Sequence, residues 1–291
     1  MINDLKKGNT MTVLRTKMIK DMQLRRFSVN TQRSYLQAVT GLARHYRRSP
    51  DKIKREEYRD YILFLTNERK LSYSTIRTTT AGISFFYKEI LHRKDMALAI
   101  PKRKKSRRLP EVFSRSELVR LFGSVKNEKH RAMLMTAYGC GLRVSEVISL
   151  KVADIDSKRM VIKIYQSKGA KDRYTILPPI LLAELRSYWL KYRPPYWLFT
   201  SSQTRGKLSR KTAHKIFIEA KDRAKITKNV TFHGFRHSFA THMLEEGVDI
   251  RTIQILMGHA SISSTMTYLH IARKDIGPAK SPLDLLYAGV R

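Results

Sequence analysis

The chain has 291 residues, of which 42% are hydrophobic, and carries 58 lysines and arginines against 24 aspartates and glutamates, a formal net charge of +34. That length fits about two domains with sizeable cores, and apolar residues recur along the whole chain, which argues against disorder as the source of the charge. A folded chain this basic repels itself unless a polyanion is near, so nucleic acid is the first expected partner and an anionic membrane surface the second. No apolar run approaches the roughly 18–20 residues of a membrane span. The N-terminal stretch from Met1 to Met18 holds no apolar core of signal-peptide length. The single cysteine, Cys140, allows neither an intrachain disulfide nor a cysteine-built zinc site. A reducing, cytoplasmic compartment is expected, and a secreted disulfide scaffold is excluded.

In chain order, residues 1–100 read as helices. A short one is expected from about Leu14 to Leu24. Tyr35, Leu36, Val39, Leu42, Ala43 and Tyr46 repeat with helical spacing, as do Tyr58, Tyr61, Ile62 and Leu65, and then Ile76, Ile83, Phe86, Tyr87 and Ile90. Breaks fall at Ser49-Pro50 and near Leu71-Ser72, where Ser72 or Ser74 can cap the next helix. Four short amphipathic helices with short connections make a compact bundle. Residues 101–110 form a linker. Lys102, Arg103, Lys104, Lys105, Arg107 and Arg108 place six positive charges in seven residues between Pro101 and Pro110, a block that cannot pack in a core. Two readings of it stand: a solvated basic loop, or a strap lying on phosphates between two domains.

Residues 111–291 form the second domain. Ser114, followed three positions later by Glu117, is a capping box ahead of Leu118, Leu121 and Phe122. Helical spacing runs through Met133, Leu134 and Ala137, is broken at Gly139 and Gly141, and resumes from Val144 to Leu150. Residues 160–164 and 174–177 are strand-like and joined by a polar segment. From Pro179 onward the chain reads as helical, giving a mainly α fold with a small antiparallel β-sheet.

Four segments of the second domain carry candidate chemistry. In the first, Arg143 follows a glycine break and opens a helix, where its planar fork can meet phosphate oxygens. In the second, Lys168 precedes Gly169 at the tip of an expected hairpin, within reach of a leaving-group oxygen. The third runs from Thr231 to Leu244. His233 and Arg236, three residues apart, can face one patch at a helix start that offers unpaired N–H groups and a positive dipole end. Histidines 233, 237 and 242 also raise a zinc site, but the HExxH glutamate is absent and no thiolate is near. In the fourth, His259 ends a helix and Ser261 to Ser264 can cap another that carries Tyr268, bringing an imidazole near a phenol. Singly these are weak signals, since one residue in five is basic.

Together, and in this order, the segments Gly-Leu-Arg143-Val-Ser-Glu, Lys168-Gly-Ala-Lys, His233-Gly-Phe-Arg236-His, Leu-Met-Gly-His259 and Tyr268 resemble the tyrosine recombinase (phage integrase) family, near its Xer-type and integron-integrase branches. Ser167 stands where the family commonly has glycine before the lysine, with Lys171 as the fallback. The resemblance implies an N-terminal four-helix, SAM-like core-binding domain and a mixed α/β catalytic domain. It implies a metal-independent, cofactor-free reaction on double-stranded DNA sites. Arg143 and Arg236 would clamp the scissile phosphate, with His233 and His259 adding hydrogen bonds and His233 a candidate base. Tyr268 would be the nucleophile, and Lys168 would protonate the departing 5′ oxygen. Further implications are a homotetramer on two sites, a second recombinase or accessory protein as a partner, and docking of residues 275–291 on a neighbouring protomer. A type IB topoisomerase, a catalytically silent DNA-binding protein of the same fold and a basic RNA-binding protein are the competing readings.

Overall fold

A computed structural model describes residues 13–98, 100, 111–165, 172–201, 204, 206–259, 261–266 and 268. The linker residues Lys102 to Arg108, Lys168, Lys171 and residues 275–291 lie outside the described residues. The chain divides into two compact units, Met1–Ser106 and Arg107–Arg291.

The first unit is helical. It comprises α1 (Val13–Leu24), α2 (Val29–Tyr46), α3 (Arg55–Asn67) and α4 (Tyr73–Phe85), the last running into a π turn over Phe86–Ile90. Each start that carries a serine uses it: Ser28 Oγ accepts from the Thr31 amide at 3.0 Å, and Ser72 Oγ from that of Thr75 at 3.2 Å, satisfying donors that a helix start leaves open. The apolar stripes then fold inward. Leu42, Tyr58, Ile76, Ile83, Phe86, Tyr87 and Ile90 are all buried, each removing apolar surface worth about 1.5–3 kcal/mol. α2 and α4 approach closely because position 82 is glycine; a Cβ there would sit 2.9 Å from Tyr35 Cα.

The second unit opens with α5 (Arg115–Gly123), whose capping box forms as expected. The Glu117 amide donates to Ser114 Oγ at 3.2 Å, and the Ser114 amide to Glu117 Oε2 at 2.7 Å. Next come α6 (Glu128–Gly139) and the single turn α7 (Val144–Val147). A three-stranded antiparallel sheet follows in the order β1 (Ile155–Asp156), β2 (Val161–Ile164), β3 (Arg173–Ile176), with Ile164 opposite Arg173 and Ile162 opposite Thr175. Then come α8 (Pro179–Tyr192), α9 (Arg210–Arg223), α10 (Gly234–Glu245), α11 (Ile250–Met257) and α12 (Ser263–Met266). α10 is central. Phe235 stacks on Phe113 with centroids 5.3 Å apart and meets Phe217 edge-on. Ser238 Oγ accepts from the Phe113 amide at 2.9 Å. This face of α10 is therefore held at its first turn.

Among the described residues, no helix is long and apolar enough to cross a membrane.

Candidate active site

The site is built where α7, α10, α11 and β3 meet, and a single carboxylate organises it. Glu146 Oε2 accepts from the Arg143 amide at 2.9 Å and Oε1 from Arg143 Nη1 at 2.8 Å. Arg173 Nη1 and Nη2 reach the same two oxygens at 3.2 and 3.0 Å, and Arg236 Nη1 lies 3.8 Å from Oε2. Burial alone would raise the Glu146 pKa. Hydrogen bonding and charge from Arg173, the Arg143 amide and the charge of Arg236 outweigh it and hold the group below its ordinary value. Three guanidinium groups around one carboxylate leave the site with excess positive charge, the sign that a phosphate requires.

Arg236 is fully buried. Its Nη1 donates to Gly141 O at 2.7 Å and its Nη2 to Met257 O. Gly141 holds a left-handed φ of +60°, and a Cβ there would fall 2.5 Å from Phe239 Cδ1, so only glycine turns this carbonyl toward Arg236 without a clash. Arg173 Nε donates to Leu256 O at 2.9 Å. Two guanidinium groups thus satisfy the last carbonyls of α11, where the helix dipole favours cations. Gly258, at φ +62°, ends that helix and turns the chain into His259. Arg236 Nε is buried and has no hydrogen-bond partner. Burial, then the charge of Arg143, push the Arg236 pKa down to about 9, which leaves it protonated near neutrality.

Tyr268 is buried, with 2% of its surface exposed. Its ring stacks near that of His259 (centroids 6.3 Å, 17°). His259 Nδ1 lies 2.9 Å from Thr265 Oγ1, and its carbonyl accepts from Gln254 Nε2 at 3.0 Å, so both ring and backbone are held. Burial raises the Tyr268 phenol pKa, and the charges of Arg236 and Arg143 pull it back. Burial, followed by Arg236 and Arg143, lowers His259 to about 4. His233 is exposed and precedes α10; partial desolvation and the same two arginines lower its pKa. A cavity of about 290 Å³ opens between Arg143, Ser145, Arg210, His214, Thr231 and His233.

Arg143, Arg236, His259 and Tyr268 therefore converge on one place, with His233 at its edge; Lys168 lies outside the described residues. One expectation is corrected. The first amides of α10 are not open: those of Gly234, Phe235 and Arg236 donate to Thr231 O, Phe232 O and His233 O at 2.8, 3.3 and 3.1 Å, because a tight turn runs straight into the helix. The positive charge at this helix start comes from side chains. α12 covers Ser263–Met266, and Tyr268 is buried beside His259 and His237. Histidines 233, 237 and 242 do not converge on a metal: His237 packs on His233 and Tyr268, while His242 Nδ1 lies 2.9 Å from Tyr138 Oη. Among the described residues, no group of three or more His, Cys, Asp or Glu side chains is placed to hold a metal ion.

Sequence reasoning missed Glu146, Arg173, His237, Arg210 and His214. Glu146 stood inside a motif but was given no role, and His237 was weighed only as a zinc ligand. Arg173 had no local signal, because its partners lie 27 and 83 positions away.

Residues 111–275 match the phage integrase family, and residues 14–95 match the phage integrase N-terminal SAM-like domain. The chain belongs to the phage integrase family. As a tyrosine recombinase it carries out site-specific recombination. It is 44% identical over 277 residues to the integrase/recombinase y4qK of Sinorhizobium fredii, covering 95% of this chain and 90% of that protein. To the tyrosine recombinase XerA of Pyrococcus furiosus it is 38% identical over 238 residues, covering 78% and 81%. Among solved structures, the recombinase resembles XerA (TM-score 0.52, 28% identity, 94% and 96% covered). It shares its fold with a lambda integrase dimer bound to a core site (TM-score 0.70, 17% identity, 86% and 95% covered). It also shares it with XerH bound to its difH substrate (TM-score 0.69, 18% identity, 97% and 87% covered).

Proposed function

We propose that this recombinase cleaves and rejoins double-stranded DNA through a 3′-phosphotyrosyl intermediate on Tyr268, and that two such rounds exchange strands through a four-way junction. The observation that carries the reading is the convergence of Arg143, Arg236 and His259 on a buried tyrosine. A phosphodiester resists attack because its oxygens are negative. Arg143 and Arg236 take the non-bridging oxygens and offset the charge that grows in the pentavalent transition state, and the unpartnered Arg236 Nε supplies a spare donor for an anion. His233 and His259 add hydrogen bonds, and Lys168 protonates the departing 5′ oxygen. The covalent link conserves the phosphoester bond energy, so rejoining needs no cofactor and no metal.

Residues 1–100 serve as the core-binding domain, residues 101–110 as a basic linker and residues 111–291 as the catalytic domain. Lys102, Arg103, Lys104, Lys105, Arg107 and Arg108 lie along phosphates, positioning the enzyme without reading sequence. Four copies act on two sites as a homotetramer, with a second recombinase or an accessory protein as a further partner. A DNA-acting enzyme with one buried, free cysteine fits the cytoplasm, where it serves integration or excision of a mobile element.

The test is strand exchange between two copies of the DNA site, taken from inverted repeats beside the gene, against relaxation of a supercoiled plasmid lacking it. Exchange that requires paired sites supports the reading; relaxation without a site would favour a topoisomerase.

A further inference from the structure

The nitrogen that meets the Tyr268 phenol belongs to a residue with no assigned role. His237 sits one turn into α10, half-buried. Its Nδ1 lies 3.2 Å from Tyr268 Oη, and the two rings are 5.5 Å apart at 56°. Its opposite flank is covered by His233, edge-on with centroids at 4.5 Å, so the imidazole is held on both sides. The charged and titratable groups around it are His233 just before its helix and Arg236 within it, Tyr268 across the contact, and Arg143 and Glu146 at the start of and within α7, which reach it through His233 and Arg236.

We propose that His237 is the general base of this enzyme, taking the Tyr268 proton as the phenolic oxygen attacks phosphorus. This assignment rests on the proposed function and moves the base from His233 to its neighbour. The Oη–H proton passes to His237 Nδ1, the Oη–P bond forms, and the P–O5′ bond breaks with its electron pair on the 5′ oxygen, which takes a proton from Lys168. On rejoining, the steps reverse and the imidazolium returns its proton to Tyr268. Burial, then His233 and Arg236, lower His237 to about 4 in the free protein, which keeps the ring uncharged near neutrality; the proposed role requires its Nε2–H tautomer, in which Nδ1 is the acceptor. A bound phosphate offsets the cations that depress it, so its basicity rises when DNA arrives.

The test is single-turnover adduct formation on a nicked DNA site whose scissile 5′ oxygen is replaced by sulfur. A thiolate leaves without a proton, so the nucleophile step limits the rate. His237→Asn keeps an acceptor near Nδ1 but no useful base. It is expected to lose about 10²–10⁴-fold near neutrality, with a rate that climbs about tenfold per pH unit as the phenol ionises unaided. DNA affinity should stay unchanged. His237→Ala is expected to regain activity with added imidazole, which a merely structural role would not allow. A wild-type rate in His237→Asn, a loss independent of pH, or the climbing profile in His233→Asn instead overturns the assignment. No adduct from the unaltered protein would overturn the proposed function with it; a wild-type adduct together with an unimpaired His237→Asn overturns only His237.

Discussion

Arg173 and Glu146 form a two-pronged ion pair in the interior of the catalytic unit, with their side chains 7% and 9% exposed. The pair joins the edge of the sheet to α7, and the remaining Arg173 nitrogen joins both to the end of α11. Breaking such a pair from one side strands a buried charge and costs about 3–5 kcal/mol. Arg173→Met and Glu146→Ala should each lose stability on that scale. The double variant should lose less than the two singles together, as read by a denaturant double-mutant cycle. Glu146→Ala should also slow cleavage, because Arg143 loses its anchor.

Gly141→Ala tests the carbonyl that holds Arg236. A Cβ at φ +60° meets Phe239, and strain plus overpacking cost about 2–4 kcal/mol. The expected result is a lowered thermal midpoint and, at temperatures where the variant is folded, weaker cleavage with DNA affinity largely kept.

Acid should destabilise this fold in two stages. His237 and His259 both fall from 6.5 to about 4 in the folded state, so between those values the unfolded chain binds more protons. Their contribution is complete above 6.5 and lost as pH drops toward 4. Glu146 is also depressed; its contribution is present above its ordinary value of 4.5 and fades below that. Thermal midpoints should therefore decline already between neutrality and about pH 5, and His259→Asn should flatten that first stage.

DNA binding should depend steeply on salt. Each phosphate neutralised releases condensed counterions, giving a slope of about −0.9 per phosphate in log K against log salt. Replacing Lys102, Arg103 and Lys104 by alanine should make the slope shallower by about 0.9 for every phosphate that is no longer neutralised and weaken binding to all sequences alike.

Local signals in the sequence were legible where local physics decides. Ser72 and the Ser114–Glu117 box cap helices through their own neighbours, and the stripe from Ile76 to Ile90 buries itself by helical spacing alone. Arg143, His233, Arg236, His259 and Tyr268 could be picked out because the order of five motifs is far more specific than any one of them. What escaped depends on residues far apart in the chain. β1 is two residues long and exists through its pairing with β2. Arg173 reads as one more basic residue until Glu146 and Leu256 O fold against it. His237 reads as a helix histidine until Tyr268 swings in. The open amides expected at the start of α10 were misjudged because the turn from Thr231 to His233 supplies acceptors that composition does not reveal.

The most direct measurement is covalent adduct formation on a nicked DNA site, followed by mass mapping of the DNA-linked peptide. The unaltered protein is predicted to give an adduct carried by Tyr268, and Tyr268→Phe to bind the same DNA and give none. An adduct on another residue, or strand cleavage by the phenylalanine variant at the normal rate, would contradict the account.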